Sequence, residues 1–213
     1  MPLPLFPLHL VLFPGRPLPL HLFEPRYRLM LHDCLDSDGR FGVVAIRAGR
    51  EVGGAADFHE VGTVAQIESV TELPDGRFDI LTRGTRRFRV LELLAGKPYL
   101  QASVDLLDER APQAADRGQA ARLRALLLPY LSLLGAPDEM LERVPQEPDD
   151  LAYLAAAAVQ VELRDQQRLL ELESCTTRLD ATLTLLRREL NLLRHFGIVG
   201  SLRPMGAGGA ELN

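Results

Sequence analysis

Up to Asp108 the apolar residues come in short runs broken by turn residues, and beyond it they recur at helical spacing. Positions 17–23 place Leu18, Leu20 and Leu22 on one side of a strand, and positions 41–46 and 61–70 supply two more strands. Leu73-Pro74-Asp75-Gly76-Arg77 separates the last of these from the run 78–82. Proline fixes one φ angle there and glycine accepts a positive one, so a tight hairpin is predicted. Past Gly84, positions 86–94 and 99–106 read as a further antiparallel pair, giving six or seven strands in all. One helix interrupts them. Pro25 suits a first helical turn, Tyr27, Met30, Leu31, Cys34 and Leu35 follow at helical spacing, and Gly39 ends the run. Positions 47–59, with Gly49, Gly53 and Gly54, predict a mobile surface loop.

In the second half, Asp116 is placed to cap a helix with Leu123, Leu126, Leu127, Tyr130 and Leu134 on its apolar face and Pro129 inside it. Gly135 and Pro137 break that helix. Asp149 or Asp150 opens the next, whose Leu151, Leu154, Ala155, Ala158 and Val159 form an alanine-rich seam. A short helix over 165–172 follows. The last helix starts near Ser174 and aligns Leu179, Leu183, Leu186, Leu190 and Leu193 in one stripe, with Gly197 as its expected C-cap. The stripe fits a bundle core; carried on the outside, it would be a seam for homo-oligomer formation. These patterns divide the chain into a β-rich unit over 1–108, a helical unit over 109–197 and a flexible tail over 198–213.

Composition narrows the classes of function. Hydrophobic residues make up 46% and charged residues 25%, as in an ordinary globular chain. The apolar start is interrupted by Pro2, Pro4, Pro7 and Pro14 and lacks a basic leader, so no signal peptide is expected. No apolar run is long enough to span a bilayer, and the expected location is the cytoplasm, with no membrane partner. Formal net charge is -5, and neither half is a polycation suited to phosphate backbones, so nucleic acid is not the expected partner. Cys34 and Cys175 have no neighbouring cysteine, which excludes a zinc-ligand spacing and a disulfide framework and leaves them as small buried residues.

No catalytic residue is assigned. Gly-x-Ser-x-Gly is absent, and the only lysine sits in Gly96-Lys97-Pro98, where proline excludes a phosphate-binding Lys-Ser/Thr. The glycines at 206–209 lack the strand and helix that a dinucleotide fingerprint requires. His9, His21, His32, His59 and His195 are scattered singly, so neither a metal site nor a cofactor is expected, and His9 and His21 read as satisfied core or interface histidines. Arg83, Arg86, Arg87 and Arg89 form the most basic run; Phe88 and Val90 alternate with Arg87 and Arg89, which predicts a solvated strand face.

The opening Leu3-Pro4-Leu5-Phe6-Pro7-Leu8, Phe13-Pro14-Gly15 and Leu18-Pro19-Leu20-His21-Leu22-Phe23-Glu24-Pro25-Arg26-Tyr27 resembles the signature of the Lon protease N-terminal substrate-binding domain family. Glu51-Val52-Gly53-Gly54, Glu60-Val61-Gly62-Thr63-Val64-Ala65, the 73–77 turn and Gly84 with Arg87-Phe88-Arg89 extend the likeness. Leu169-Leu170-Glu171 and Leu186-Arg187-Arg188-Glu189-Leu190 carry it into the helical half. The resemblance implies an α+β fold: an N-terminal PUA-like β pseudo-barrel of six or seven strands with one helix, followed by a C-terminal helical bundle. Full-length Lon continues into ATPase and peptidase modules, so the chain is expected to act as a stand-alone, non-catalytic module. Its implied partner is an unfolded or tagged polypeptide, or a protease or chaperone; an RNA-binding PUA-like module is the alternative.

A crevice between two linked modules favours a ligand, and aromatic anchors with arginines at the rim suit peptide capture. The expected peptide-binding residues are Phe13, Leu20, Phe23 and Tyr27, with Arg16 and Arg26 at the rim. Burial in the core is the alternative for the same aromatics.

Overall fold

The computed structural model describes residues 1–48, 57–108 and 114–196. The linker expected near Glu109 to Arg117 and the loop expected over 47–59 are described only at their ends, where 114–117 are helix and 47–48 and 57–58 are strand; 49–56, 109–113, the cap at Gly197 and the tail over 198–213 lie outside those residues. Seven strands and six helices follow in chain order among the described residues: β1 (Pro2–Leu8), β2 (Pro17–Leu22), α1 (Pro25–Leu35), β3 (Arg40–Ala48), β4 (Asp57–Phe58), β5 (Val61–Glu72), β6 (Phe78–Leu94), β7 (Leu100–Leu106), α2 (Ala114–Leu133), α3 (Asp138–Glu142), α4 (Pro148–Ala158), α5 (Leu163–Glu171) and α6 (Cys175–Phe196).

The hairpin predicted at 73–77 joins β5 to β6, with Leu73 N–H donating to Arg77 O at 2.8 Å and Gly76 at a φ of 76°. β6 is one strand of 17 residues, where two were expected. Gly84 is a point of close approach instead of a break: a Cβ there would lie 2.4 Å from Phe13 O. The Phe13–Arg16 turn rests on it, with Gly15 N–H donating to Gly84 O and Gly84 N–H to Arg16 O. The strand pairings β1-β7-β6-β5-β3 are antiparallel, and β1 also pairs with β3 in parallel, which closes these five strands on themselves. β2 and the two-residue β4 lie outside that ring, on β6 and β3.

α1 lays its predicted stripe of Tyr27, Met30, Leu31 and Cys34 against Phe6, Leu22, Phe41, Phe78 and Ile80. The Phe6 and Tyr27 rings stack at 4.1 Å between centroids. The helix is also tied at its far end, where Asp33 accepts from Tyr99 Oη and from Lys97 Nζ at 2.9 Å. These two donors, Tyr99 first, hold the Asp33 carboxyl below the usual carboxylate range.

In the helical half, Leu123, Leu127 and Tyr130 of α2 meet Leu151 and Ala155 of α4 and the stripe of α6. Leu179, Leu183, Leu186 and Leu190 are buried, so the α6 stripe is used for packing within the chain. Asp116 sits inside the first turn of α2, not at its cap; it is buried and accepts from Thr176 Oγ1 on α6. Ser174 caps α6, accepting from Thr177 N–H at 3.1 Å. The short α3 gave no sequence signal, because five residues carry barely more than one helical period.

Two outcomes follow. Leu186 is 0% exposed, so Leu186→Ala costs about 2–5 kcal/mol, read as a fall in melting temperature. The lowered Asp33 pKa stabilises the fold above its unfolded value of about 3.9, and that stabilisation is lost as pH falls through the folded value. Melting curves from neutral to acid pH are therefore expected to show Asp33→Asn below wild type at pH 7 and converging with it in acid.

Candidate functional site

The six residues expected to line one cleft divide between two places. Phe13, 1% exposed, packs among Val61, Tyr153, Ala156, Val159 and Leu170, its ring centroid 6.4 Å from that of Tyr153. It fills the junction between the halves instead of lining an opening. Tyr27 is buried on the inward stripe of α1, and Leu20 is half-buried against the same cluster. Phe23, Arg26 and Arg16 keep contact with solvent. Phe13 and Tyr27 are core because both belong to faces that a second element covers, α4 and α5 in one case and β1 in the other.

The junction is held by polar groups as well. Arg87, on β6, is 1% exposed and donates from Nη1 to Leu170 O at 2.8 Å and Leu172 O at 2.6 Å. Gln167, on α5, donates from Nε2 to Val61 O at 3.0 Å. Two adjoining crevices of about 440 and 360 Å³ run along this seam and share Arg89 and Glu171 in their walls. Arg47, His59 and Glu60 complete the first, where His59 Nδ1 lies 3.5 Å from Glu171 Oε1. An opening between the halves therefore exists, but its lining is charged and includes none of the six expected residues.

The arginine run is not one solvated face. Arg83 pairs with Glu68, Arg86 Nη2 lies 2.6 Å from Asp108 Oδ1, Arg87 is buried under the end of α5, and Arg89 lines both crevices. Alternation along β6 separates two faces, but at Arg87 the outer one is covered by residues more than eighty positions away, while Arg83 and Arg89 stay exposed. The histidine reading also changes. His9 and His21 are exposed, and His21 is satisfied at the surface, Nδ1 at 2.6 Å from Asp79 Oδ1 and Nε2 at 3.2 Å from Arg77 Nη1.

An apolar strip remains on the outside of β2 and β6. Phe23 is 51% exposed and stacks beside His21 at 6.2 Å, and Pro19 faces Leu81, which is 37% exposed. Polar pairs frame it: the His21–Asp79 hydrogen bond and the ion pairs Arg77–Asp75, Arg83–Glu68, and Arg26 to Glu24 at 3.0 Å. Half-buried Arg16 has its pKa lowered by desolvation and then by the neighbouring Arg83 charge. The charge of an anionic group arriving at that corner would offset both effects.

The arrangement offers little covalent chemistry. Among the described residues no cluster of three His, Cys, Asp or Glu side chains forms a metal site. Burial pushes the Cys34 thiol up to about 12, and Cys175 is raised in the same way, so neither is a ready thiolate. No helix among the described residues is long and apolar enough to cross a membrane.

Comparison with known proteins agrees with the resemblance in the sequence. A family model described as the ATP-dependent protease La (LON) substrate-binding domain matches residues 2–188. Lon protease of Anaeromyxobacter dehalogenans and Lon protease 2 of Myxococcus xanthus are each 32% identical to the chain over 200 residues, covering 90% of it and 24% of their own lengths. The chain thus spans about a quarter of these curated relatives. Among solved structures, the N-terminal domain of Mycobacterium avium complex Lon protease aligns with a TM-score of 0.73 at 20% identity, covering 88% of this chain and 98% of that one. A Lon N-terminal domain protein from Xanthomonas campestris aligns at 0.66 and 26% identity, covering 86% and 98%.

The junction predicts a sharp contrast between neighbours. Arg87→Ala strands the buried Leu170 carbonyl, takes one of two donors from Leu172 O and is expected to cost about 2–4 kcal/mol, whereas the exposed Arg89→Ala stays within about 0.5 kcal/mol. Chemical denaturation of the two variants measures the difference.

Proposed function

The chain belongs to the Lon substrate-binding domain family, and from that premise we propose that it is a non-catalytic polypeptide-binding module that recognises unfolded or tagged proteins, or a protease or chaperone partner. The observation that carries this reading is the exposed apolar strip of Phe23, Pro19 and Leu81 framed by charged pairs. A large aromatic left in water beside arginines is the composition of a contact surface. Phe23 is the anchor, Leu20 the floor, and Arg26 and Arg16 the rim; Phe13 and Tyr27 act from behind, as the packed layers on which that surface rests.

In the same reading the closed strand ring over 1–108 is a PUA-like pseudo-barrel, and the helices from 109 onwards are a bundle docked against it. The module works in the cytoplasm. An RNA-binding role finds less support, because the arginine run that motivated it is divided among two ion pairs, one buried side chain and the wall shared by two crevices.

Fluorescence anisotropy with a labelled, permanently unfolded polypeptide tests the assignment. Phe23→Ser is expected to weaken binding about tenfold, or about 1.4 kcal/mol, at an unchanged melting temperature. Arg16→Glu weakens it as well, while Tyr27→Ala lowers the melting temperature first. Binding at wild-type strength by both Phe23→Ser and Arg16→Glu overturns the assignment.

A further inference from the structure

A cavity of about 490 Å³ lies between α2 and the start of α4, away from the strip and from the junction. Arg117, Ala121, Arg124 and Ala125 line its α2 wall, and Gln146, Glu147 and Pro148 line the other. Positions 117, 121, 124 and 125 share one helical face, and the two arginines are two turns apart, about 10.5 Å along the axis, within joint reach of one small anion. Neither makes an ion pair among the described residues, and Arg124 Nε is buried with no hydrogen-bond partner among them. A buried donor without an acceptor is unfavourable, and a carboxylate presented from the cavity satisfies it.

We propose that this cavity binds the terminal carboxylate of a polypeptide. Arg124 and Arg117 hold the two oxygens, and Ala121, Ala125 and Pro148 receive a small apolar side chain on the terminal residue. The apolar wall adjoins the guanidiniums, so the ligand's apolar group must sit beside its carboxylate, as in a terminal residue. An aspartate side chain would instead bring peptide groups on both flanks against a wall of alanine and proline side chains in which the Gln146 amide is the one neutral hydrogen-bonding group, too few for two flanking peptides. Glu147 on the opposite lip makes no ion pair with either arginine among the described residues and lowers the local positive charge, which favours a monoanion over a phosphate. The site shares no residue with the Phe23 strip and stands or falls separately from it.

The test titrates the full ¹⁵N-labelled chain with N-acetyl-dialanine and with its C-terminal amide. The acid is expected to shift the Arg124 Nε–H resonance saturably, and the amide to leave it in place. Ala121 is exposed, so Ala121→Leu fills the cavity without disturbing the core; it is expected to weaken binding at least about tenfold at an unchanged melting temperature, as is Arg124→Gln, while Phe23→Ser binds normally. Equal shifts from acid and amide, no shift from either, or full binding by Ala121→Leu overturns the proposal. Equal affinity for N-acetyl-aspartic acid α-amide overturns the assignment to a chain terminus.

Discussion

The buried guanidinium of Arg87 joins the two halves of this molecule, and much of the junction depends on it. Its acceptors, Leu170 O and Leu172 O, lie at the C-terminal end of α5, where a helix leaves carbonyls unpaired and its dipole is negative. Arg178 approaches the same end from α6, donating to Leu169 O and Leu172 O. Two cations therefore serve as the C-cap of one short helix, which offsets the cost of removing them from water. Arg178 lies 4.3 Å over the Tyr153 ring, Tyr153 packs on Phe13, and the Phe13 turn rests on Gly84 of β6. The contacts make a closed circuit from β6 through the helices and back to β6.

That circuit explains why the junction is not the apolar cleft that two modules and a linker would lead one to expect. Phe13, Tyr153 and Leu170 occupy the interior of the seam, and only its charged edge remains open. Burying both aromatics fixes the relative placement of sheet and helices, and among the described residues it leaves Phe23 as the large aromatic most open to water, at a corner where the strand gives way to α1.

Features that depend on local period were legible in the sequence. The 73–77 hairpin, the stripe of α1 and the leucine stripe of α6 each repeat within one element, so alternation or helical spacing reveals them. What distant parts of the chain do to one another was not legible. Nothing in Arg87-Phe88-Arg89 distinguishes the arginine that α5 covers from the one that stays wet. Nothing in Leu12-Phe13-Pro14 says that Tyr153 will lie on it. Gly84 read as a break because a missing side chain has two uses, turning the chain and admitting a neighbour, and only the fold decides between them. Of the three aromatics among the six expected contact residues, Tyr27 on the periodic stripe of α1 and Phe13 in the turn before β2 became core, and Phe23, just past the end of β2, did not.

The closed strand ring also determines how a polypeptide can be held. β1, β3, β5, β6 and β7 pair on both sides over part of their lengths, which leaves the backbone of the ring little room to accept an added strand. β2, outside the ring, has β6 as its only partner among the described residues, and it is the natural place for strand addition. Yet Pro17 and Pro19 remove two of its N–H donors at alternate positions, so an added chain would meet carbonyls without their matching donors. In the proposed reading, recognition there comes from side chains. Contacts through one aromatic, a leucine, a proline and a charged rim ask for apolar bulk near polar groups and not for a particular sequence, which is the tolerance that the proposed binding of unfolded chains requires.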